Sequence, residues 1–345
     1  MDHSSQNDFI VALTGAAGNI GSTLMFLLAA ENIFGEQQRI VLRLIDLPAV
    51  KGKLDGLAME LDDCQFSRLR RVEVLPEASE SFRDSDCVIL VAGKPRTLGM
   101  ERRDLLIQNA ELFQTQAELC KNVLKPNSKV LIVANPCNTN ALIFSHFSPN
   151  LPAKNITALS WLDQARAKAL IAQKLDVNVR RVKNVCIVGN HSNTLVVDVS
   201  RCVVEPESGS PEAPQHLKDL VDTNFTTGKL QTAVKARGGE IIKAKGTSSS
   251  FSAAKAVVDH LKTWYLGSGG EMVSMAVLKD GLPGADGSLC IALPVICREG
   301  GYEIVRDPLE GIGKQEEEMV RLTIEELVAE KQIAFEILET GPNRG

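Results

Sequence analysis

The sequence has no excess of positive charge, no paired cysteines and no apolar leader, and each lack removes a class of protein. With 38 Lys and Arg against 43 Asp and Glu, the formal net charge is -5. That offers no basic footprint for nucleic acid or an acidic membrane, so any local cluster of cations needs a small anionic ligand as its reason. The eight cysteines (Cys64, Cys87, Cys120, Cys137, Cys186, Cys202, Cys290 and Cys297) are scattered, several inside apolar runs, with no CxxC pair. Their distribution argues against a disulfide framework or a metal site and for reduced, buried thiols. Met1 to Phe9 is polar and mildly acidic, with neither an apolar signal core nor an Arg-rich amphipathic pattern, and Gly341 to Gly345 is no targeting tripeptide. The expected location is cytoplasmic. No internal repeat or low-complexity tract is present.

What is present suffices for a large core: 345 residues, 44% hydrophobic and 23% charged, which predicts two closely packed domains. Phe9-Ile-Val-Ala-Leu13 reads as a strand, followed by the glycine turn Thr14-Gly-Ala-Ala-Gly-Asn-Ile-Gly21 and a helical pattern from Ser22 to Ala30. Gly15, Gly18 and Gly21 permit a tight turn, close approach of a pyrophosphate and helix-strand packing, while the helix start at Asn19 and Ile20 offers free N–H groups to an anion. The spacing is GxxGxxG, and small residues also serve ordinary close packing; the strand-to-helix context favours the nucleotide reading. A second strand ends in Asp46, about 25 positions after the turn. A carboxylate there accepts hydrogen bonds from the adenosine ribose and repels a 2′-phosphate, which implies NAD rather than NADP; the first cation beyond it is Lys51. Asp46 also fits as the opener of the turn before Pro48.

Cys87-Val-Ile-Leu-Val-Ala92 reads as a buried parallel strand whose carboxyl end carries Gly93 to Leu106, a loop with Arg96 and Arg102 between flexible points at Gly93 and Gly99. Two guanidinium forks on a hinged lid suit a dianionic substrate, although a solvated basic loop has the same composition. Arg103 to Leu124 predicts a long amphipathic helix with Asn109 and Gln116 on its polar side, and Lys129 to Ala134 a further strand. That strand ends in the turn Asn135-Pro136-Cys-Asn138-Thr, where Asn135 is placed to orient a nicotinamide or substrate oxygen.

Past Pro152 the alternation of strands and helices becomes less regular. We place the boundary near Lys154: residues 1–154 form a Rossmann-type doubly wound parallel sheet of the α/β class, and 155–345 an α+β domain carrying substrate and catalytic groups. Leu162 to Leu170 opens a helix with Asp163 and Arg166 three apart and so on one face; such pairs are commonly surface ion pairs. The alternative gives Arg166 a substrate carboxylate and Asp163 a histidine to orient. Val185-Cys-Ile-Val-Gly-Asn-His-Ser192 supplies one in His191, a strand-end histidine beside a glycine turn, unlike His3, His146, His216 and His260. Lys314 to Leu338 is a charged amphipathic closing helix.

With these pieces assembled, the sequence resembles the lactate and malate dehydrogenase superfamily, its cytosolic-type malate dehydrogenases above all, from about Ile10 to Phe335. The resemblance rests on Thr14-Gly-Ala-Ala-Gly18, Pro95-Arg-Thr-Leu-Gly-Met-Glu-Arg102, Asn135-Pro136, Leu162-Asp163 with Arg166, and Gly189-Asn-His-Ser192. It implies a homodimeric enzyme that interconverts malate and oxaloacetate with NAD, His191 and Asp163 as the acid/base pair, and Arg96, Arg102, Asn135 and Arg166 at the substrate. It places Asn109, Gln116 and the Val133 to Asn135 turn at the cofactor, and it implies no metal. Trp161, Gln164 and Ala165 depart from the residues around the Asp-Arg pair in those relatives, and Thr97-Leu98 replaces a more charged lid tip; no catalytic group is lost. A hydroxyacid dehydrogenase for lactate-like or aromatic substrates and a non-catalytic NAD-binding protein are the alternatives, and the complete set of His191, Asp163, Arg166 and Arg102 weighs against the second.

Overall fold

The computed structural model describes residues 8–94, 102–310 and 314–340, the side chains of Arg102 and Gln315 excepted. The first half runs β1 (Phe9–Thr14), α1 (Asn19–Ala30), β2 (Ile40–Asp46), α2 (Lys51–Asp63), β3 (Leu69–Pro76), α3 (Ser79–Phe82), β4 (Cys87–Leu90), α4 (Arg102–Cys120), β5 (Lys129–Ile132), α5 (Cys137–Phe147) and β6 (Ile156–Ala158). Its strands pair in parallel in the order β3-β2-β1-β4-β5-β6. Chain direction across the sheet reverses between β1 and β4, which opens a crevice at their carboxyl ends. β4 is buried at every residue, as a strand covered on both faces must be, and so it reads as an unbroken apolar run.

The second half continues with α6 (Trp161–Leu175), β7 (Val182–Lys183), β8 (Cys186–Val188), β9 (Val196–Asp198), β10 (Val203–Val204), β11 (Gln215–His216), α7 (Leu217–Leu220), α8 (Leu230–Lys245), α9 (Phe251–Leu266), β12 (Val273–Lys279), β13 (Leu289–Arg298), β14 (Gly301–Ile304) and α10 (Lys314–Thr340). Its long strands do not build a sheet of their own. β12 pairs antiparallel with β6, and β13 and β14 follow, so one nine-stranded sheet runs through both halves. β8 and β9 form a separate hairpin, bridged to β13 through Gly189 and Ala292.

Two of the residues that depart from the relatives' pattern have structural work in this frame. Gln164 is buried, and its Oε1 accepts from the Ser274 N–H of β12 at 2.6 Å, while Ser274 Oγ accepts from the Ile187 N–H of β8 at 2.7 Å. This relay ties α6 to the strand that leads to His191. Trp161 opens α6 half-buried against the core, its ring 6.4 Å from that of His260. Seven cysteines are buried and Cys64 is exposed. No described helix is long and apolar enough to cross a membrane.

His260 on α9 is fully buried; its Nε2 lies 3.0 Å from Thr157 Oγ1 of β6, and its Nδ1 has no partner among the described residues. Burial without an anion lowers its pKa from the ordinary 6.5 to about 3. Below 6.5 the unfolded chain therefore binds a proton that the native state refuses, so stability falls as the pH drops from 6.5 towards 3. We expect His260→Asn to flatten the stability profile of urea unfolding across that window by about 1 kcal/mol per pH unit. Parallel profiles for the two proteins would contradict this.

Candidate functional site

The turn from β1 to α1 is as tight as its glycines allow. Gly15 has φ +64°, and a Cβ on it would lie 2.7 Å from the N of Ala92, two residues past β4; one on Gly21 would lie 2.3 Å from Gly15 O. Side chains here would push the helix off the sheet. Gly18 caps α1 without a side-chain hydrogen bond, and the first turn carries no acid. The first N–H groups of a helix have no intrahelical partner, and here no side chain caps them. At the end of β2, Asp46 Oδ2 accepts from the Ala17 N–H at 2.9 Å and Oδ1 from the Leu47 N–H at 2.8 Å. These bonds fix the carboxylate beside the glycine turn with acceptor capacity left over.

Across the cleft, the His191 loop is held from several sides. Gly189 exchanges two backbone hydrogen bonds with Ala292 of β13. Asn138, at the start of α5, accepts from the His191 N–H through Oδ1 at 3.0 Å and donates from Nδ2 to the carbonyls of Gly189 and Cys290. The closing helix α10 reaches in as well: the Asn190 N–H donates to Thr323 Oγ1 at 2.8 Å, and its Nδ2 donates to Glu326 and Glu330. Ser192 donates to Glu326, and Thr139 to Glu330.

The loop delivers His191 to Asp163. The Nδ1 to Oδ2 distance is 2.5 Å, and the other carboxylate oxygen accepts from Arg166 Nη1 at 3.0 Å. An ionised carboxylate only accepts, so Nδ1 carries hydrogen and Nε2 is left for chemistry in the cleft. Asp163 is 1% exposed. Burial works to raise its pKa, yet the charge and hydrogen bonds of His191, then those of Arg166, outweigh it and hold the group below the ordinary value. Arg166 Nη2 also donates to Ser249 Oγ at 3.4 Å. The cleft between these groups has a volume of about 470 Å³ and is bordered by Ile20, Val133 and Asn135 on the glycine-turn side.

Of the site residues read from the sequence, Ile20, Val133, Asn135, Asp163, Arg166 and His191 line this one cleft, while Asp46 borders a separate pocket with Leu47, Pro48 and Val74. Asn109 and Gln116, expected on the polar side of α4, are fully buried. Asn109 Oδ1 accepts from the Lys94 N–H at 2.8 Å, and its amide donates to the carbonyls of Lys94, Leu105 and Asn135. It pins the base of the lid to the Asn135 turn. Gln116 donates to Glu77 at 2.9 Å. Asn109 thus serves inward-facing backbone groups and Gln116 a carboxylate from another segment, demands that periodicity does not register. Arg96 lies outside the described residues, as does the side chain of Arg102. Sequence reasoning gave no role to Asn138, Thr323, Glu326, Glu330 or Ser249; Thr323, Glu326 and Glu330, spaced three and then four apart on one stripe of α10, were a usable signal. No cluster suited to a metal ion occurs among the described residues.

Two family models match the chain: lactate/malate dehydrogenase, NAD binding domain, over residues 9–157, and lactate/malate dehydrogenase, alpha/beta C-terminal domain, over 160–338. The cytoplasmic malate dehydrogenase of Beta vulgaris is 38% identical over 95% of this chain and 98% of its own length. The malate dehydrogenase of Naegleria fowleri superposes with a TM-score of 0.87 at 35% identity, covering 96% of this chain and 99% of that one. The lactate dehydrogenase of Trichomonas vaginalis, solved with NADH and oxamate, does so with a TM-score of 0.88 at 31% identity over the same shares.

Gly189 has φ +108°, and a Cβ there would lie 2.4 Å from both Cγ2 and Oγ1 of Thr323. Gly189→Ala is expected to cost about 2 to 4 kcal/mol in urea unfolding. Adding Thr323→Ser, which removes Cγ2, should recover part of that loss. A silent Gly189→Ala would show that α10 does not brace the histidine loop.

Proposed function

The chain belongs to the lactate/malate dehydrogenase family, and we propose that it interconverts L-malate and oxaloacetate with NAD, in the cytoplasm and as a homodimer. The observation that carries this reading is the Asp163 carboxylate shared between His191 and Arg166 at one wall of a cleft whose other wall is the glycine turn. The residues present fit a dinucleotide: an uncapped helix end for its pyrophosphate and a fixed carboxylate, Asp46, for its ribose. NAD(H), when bound, supplies or accepts the hydride.

The protein's own groups handle proton and charge. In the reducing direction doubly protonated His191 donates from Nε2 to the keto oxygen, and Asp163 holds the ring and stabilises its charge. Arg166 takes the C1 carboxylate with its planar fork. By the resemblance, Asn135 and Arg102 are assigned to the carbonyl, where negative charge develops, and Arg96 to the second carboxylate. Pyruvate has a methyl group at that end, so a lid closing over it would bury an unpaired guanidinium, which costs several kcal/mol. The resemblance to relatives named cytoplasmic supports the location. Exposed apolar side chains on the adjoining helices α1, α2 and α9, Phe26, Met59 and Phe251, support a contact with a second copy.

One set of assays tests the reading: loss of NADH or NADPH absorbance with oxaloacetate or pyruvate, for the wild type and His191→Asn. We expect turnover with oxaloacetate and NADH, pyruvate slower by about a thousandfold or more, and poor use of NADPH. His191→Asn should retain NADH binding and lose about 1,000-fold or more in turnover. Equal use of pyruvate would move the assignment to a lactate-type enzyme, equal use of NADPH would remove the role given to Asp46, and undiminished turnover in the variant would remove His191.

A further inference from the structure

Helix α8 contributes Val234, Lys235, Gly238 and Ile242 to the wall of the cleft that holds Asp163, Arg166 and His191. Lys235, Gly238 and Ile242 are spaced three and then four residues apart, which makes them one stripe of the helix. Two contacts fix where that stripe lies. At Gly238 a Cβ would sit 3.9 Å from both Nη1 and Nη2 of Arg166, so the helix backbone passes against the guanidinium. At the start of α8, Gln231 exchanges two hydrogen bonds of 2.8 Å with the backbone of Val197 in β9, a few residues beyond the His191 loop. Lys235 lies between these points, about 4.5 Å of helix rise before Gly238. Helical side chains lean towards the amino end, here towards the His191 to Leu195 side.

Other charges in this wall have partners. Asp163 is engaged by His191 and Arg166, and Glu326 by Ser192, Thr194 and Asn190. Lys235 is half-buried, with no hydrogen bond or ion pair among the described residues. Its pKa is lowered by burial, the signature of an ammonium stripped of water without a carboxylate in exchange. A cation left in this condition beside a substrate's first anchor is complementary to an anion that the substrate brings.

We propose that Lys235 is a specificity-determining residue, receiving from the α8 side the second carboxylate of a dicarboxylic 2-oxo acid whose first carboxylate Arg166 holds. This rests on the malate and oxaloacetate reading above and adds a cation on a helix to the one that the lid carries at Arg96. Lys235 is held on a packed helix and stands off the reacting carbon, at the distal carboxylate, so it acts on binding of the dianion rather than on the chemical step.

The test is steady-state kinetics of Lys235→Met, which keeps the length of the apolar stem, and of Lys235→Arg. For Lys235→Met, KM for oxaloacetate should rise about tenfold, the factor expected of one partly desolvated charge contact. Its kcat should stay within about twofold of wild type, KM for NADH should be unchanged, and kcat/KM for pyruvate should hold, so that selectivity between the two acids falls about tenfold. Lys235→Arg should recover most of the oxaloacetate affinity. A purely structural lysine would depress both substrates together, and that result, or an unchanged KM, would overturn the proposal while leaving the malate dehydrogenase reading standing. A wild-type protein that does not reduce oxaloacetate would remove that reading and this inference with it.

Discussion

A single buried carboxylate holds together the two groups on which the proposed chemistry depends. Asp163 is almost completely removed from water, and an ion in that position loses several kcal/mol of hydration unless close donors replace it. The donors are His191 on one oxygen and Arg166 on the other. Neither can be withdrawn without stranding the charge, so the geometry of the proposed proton donor and that of the proposed carboxylate anchor are set together. An i,i+3 Asp-Arg pair on a surface is worth some tenths of a kcal/mol; here burial and the third partner make it a constraint on the entire cleft.

Meeting that constraint requires segments far apart in sequence to agree in position. Asp163 and Arg166 ride on α6, which leaves the sheet directly after β6, whereas His191 follows β8, a short hairpin strand outside the main sheet. Three sets of bonds close the gap. Gln164 and Ser274 link α6 and β12 to β8, Asn138 brings the start of α5 against the His191 backbone, and α10 supplies Thr323, Glu326 and Glu330 beneath Asn190. Continuity of the nine-stranded sheet gives these braces a common base. Acid/base groups must be held within about half an ångström of their working geometry, and such a dense set of buried hydrogen bonds is what achieves it.

Much of this was legible in the sequence because it follows from local rules. Phe9 to Leu13 reads as a strand and Cys87 to Ala92 as a buried parallel one, and the glycines at 15, 18 and 21 mark a turn that side chains would block. Asp163, Arg166 and His191 were found by asking which polar residues stand at strand ends or one helical turn apart. What escaped was non-local. The merging of β12, β13 and β14 into the first sheet depends on the pairing of β12 with β6, for which strand patterns carry no signal. Asn109 and Gln116 looked like surface polar residues because helical periodicity cannot tell water from the backbone groups and the Glu77 carboxylate that meet them. Asn138 was visible only as a turn former, since the backbone it orients lies 53 positions away.

The most direct test of the shared carboxylate is the kcat and KM of Asp163→Asn with oxaloacetate. The amide has nearly the same shape but one acceptor in place of two and no charge, so it can serve His191 or Arg166 and not both. The account predicts that kcat falls on the order of 1,000-fold or more and that KM rises in the same variant, with the fold retained. A variant that loses only turnover, or only substrate affinity, or neither, would show that Asp163 does not hold the proton donor and the carboxylate anchor as one unit.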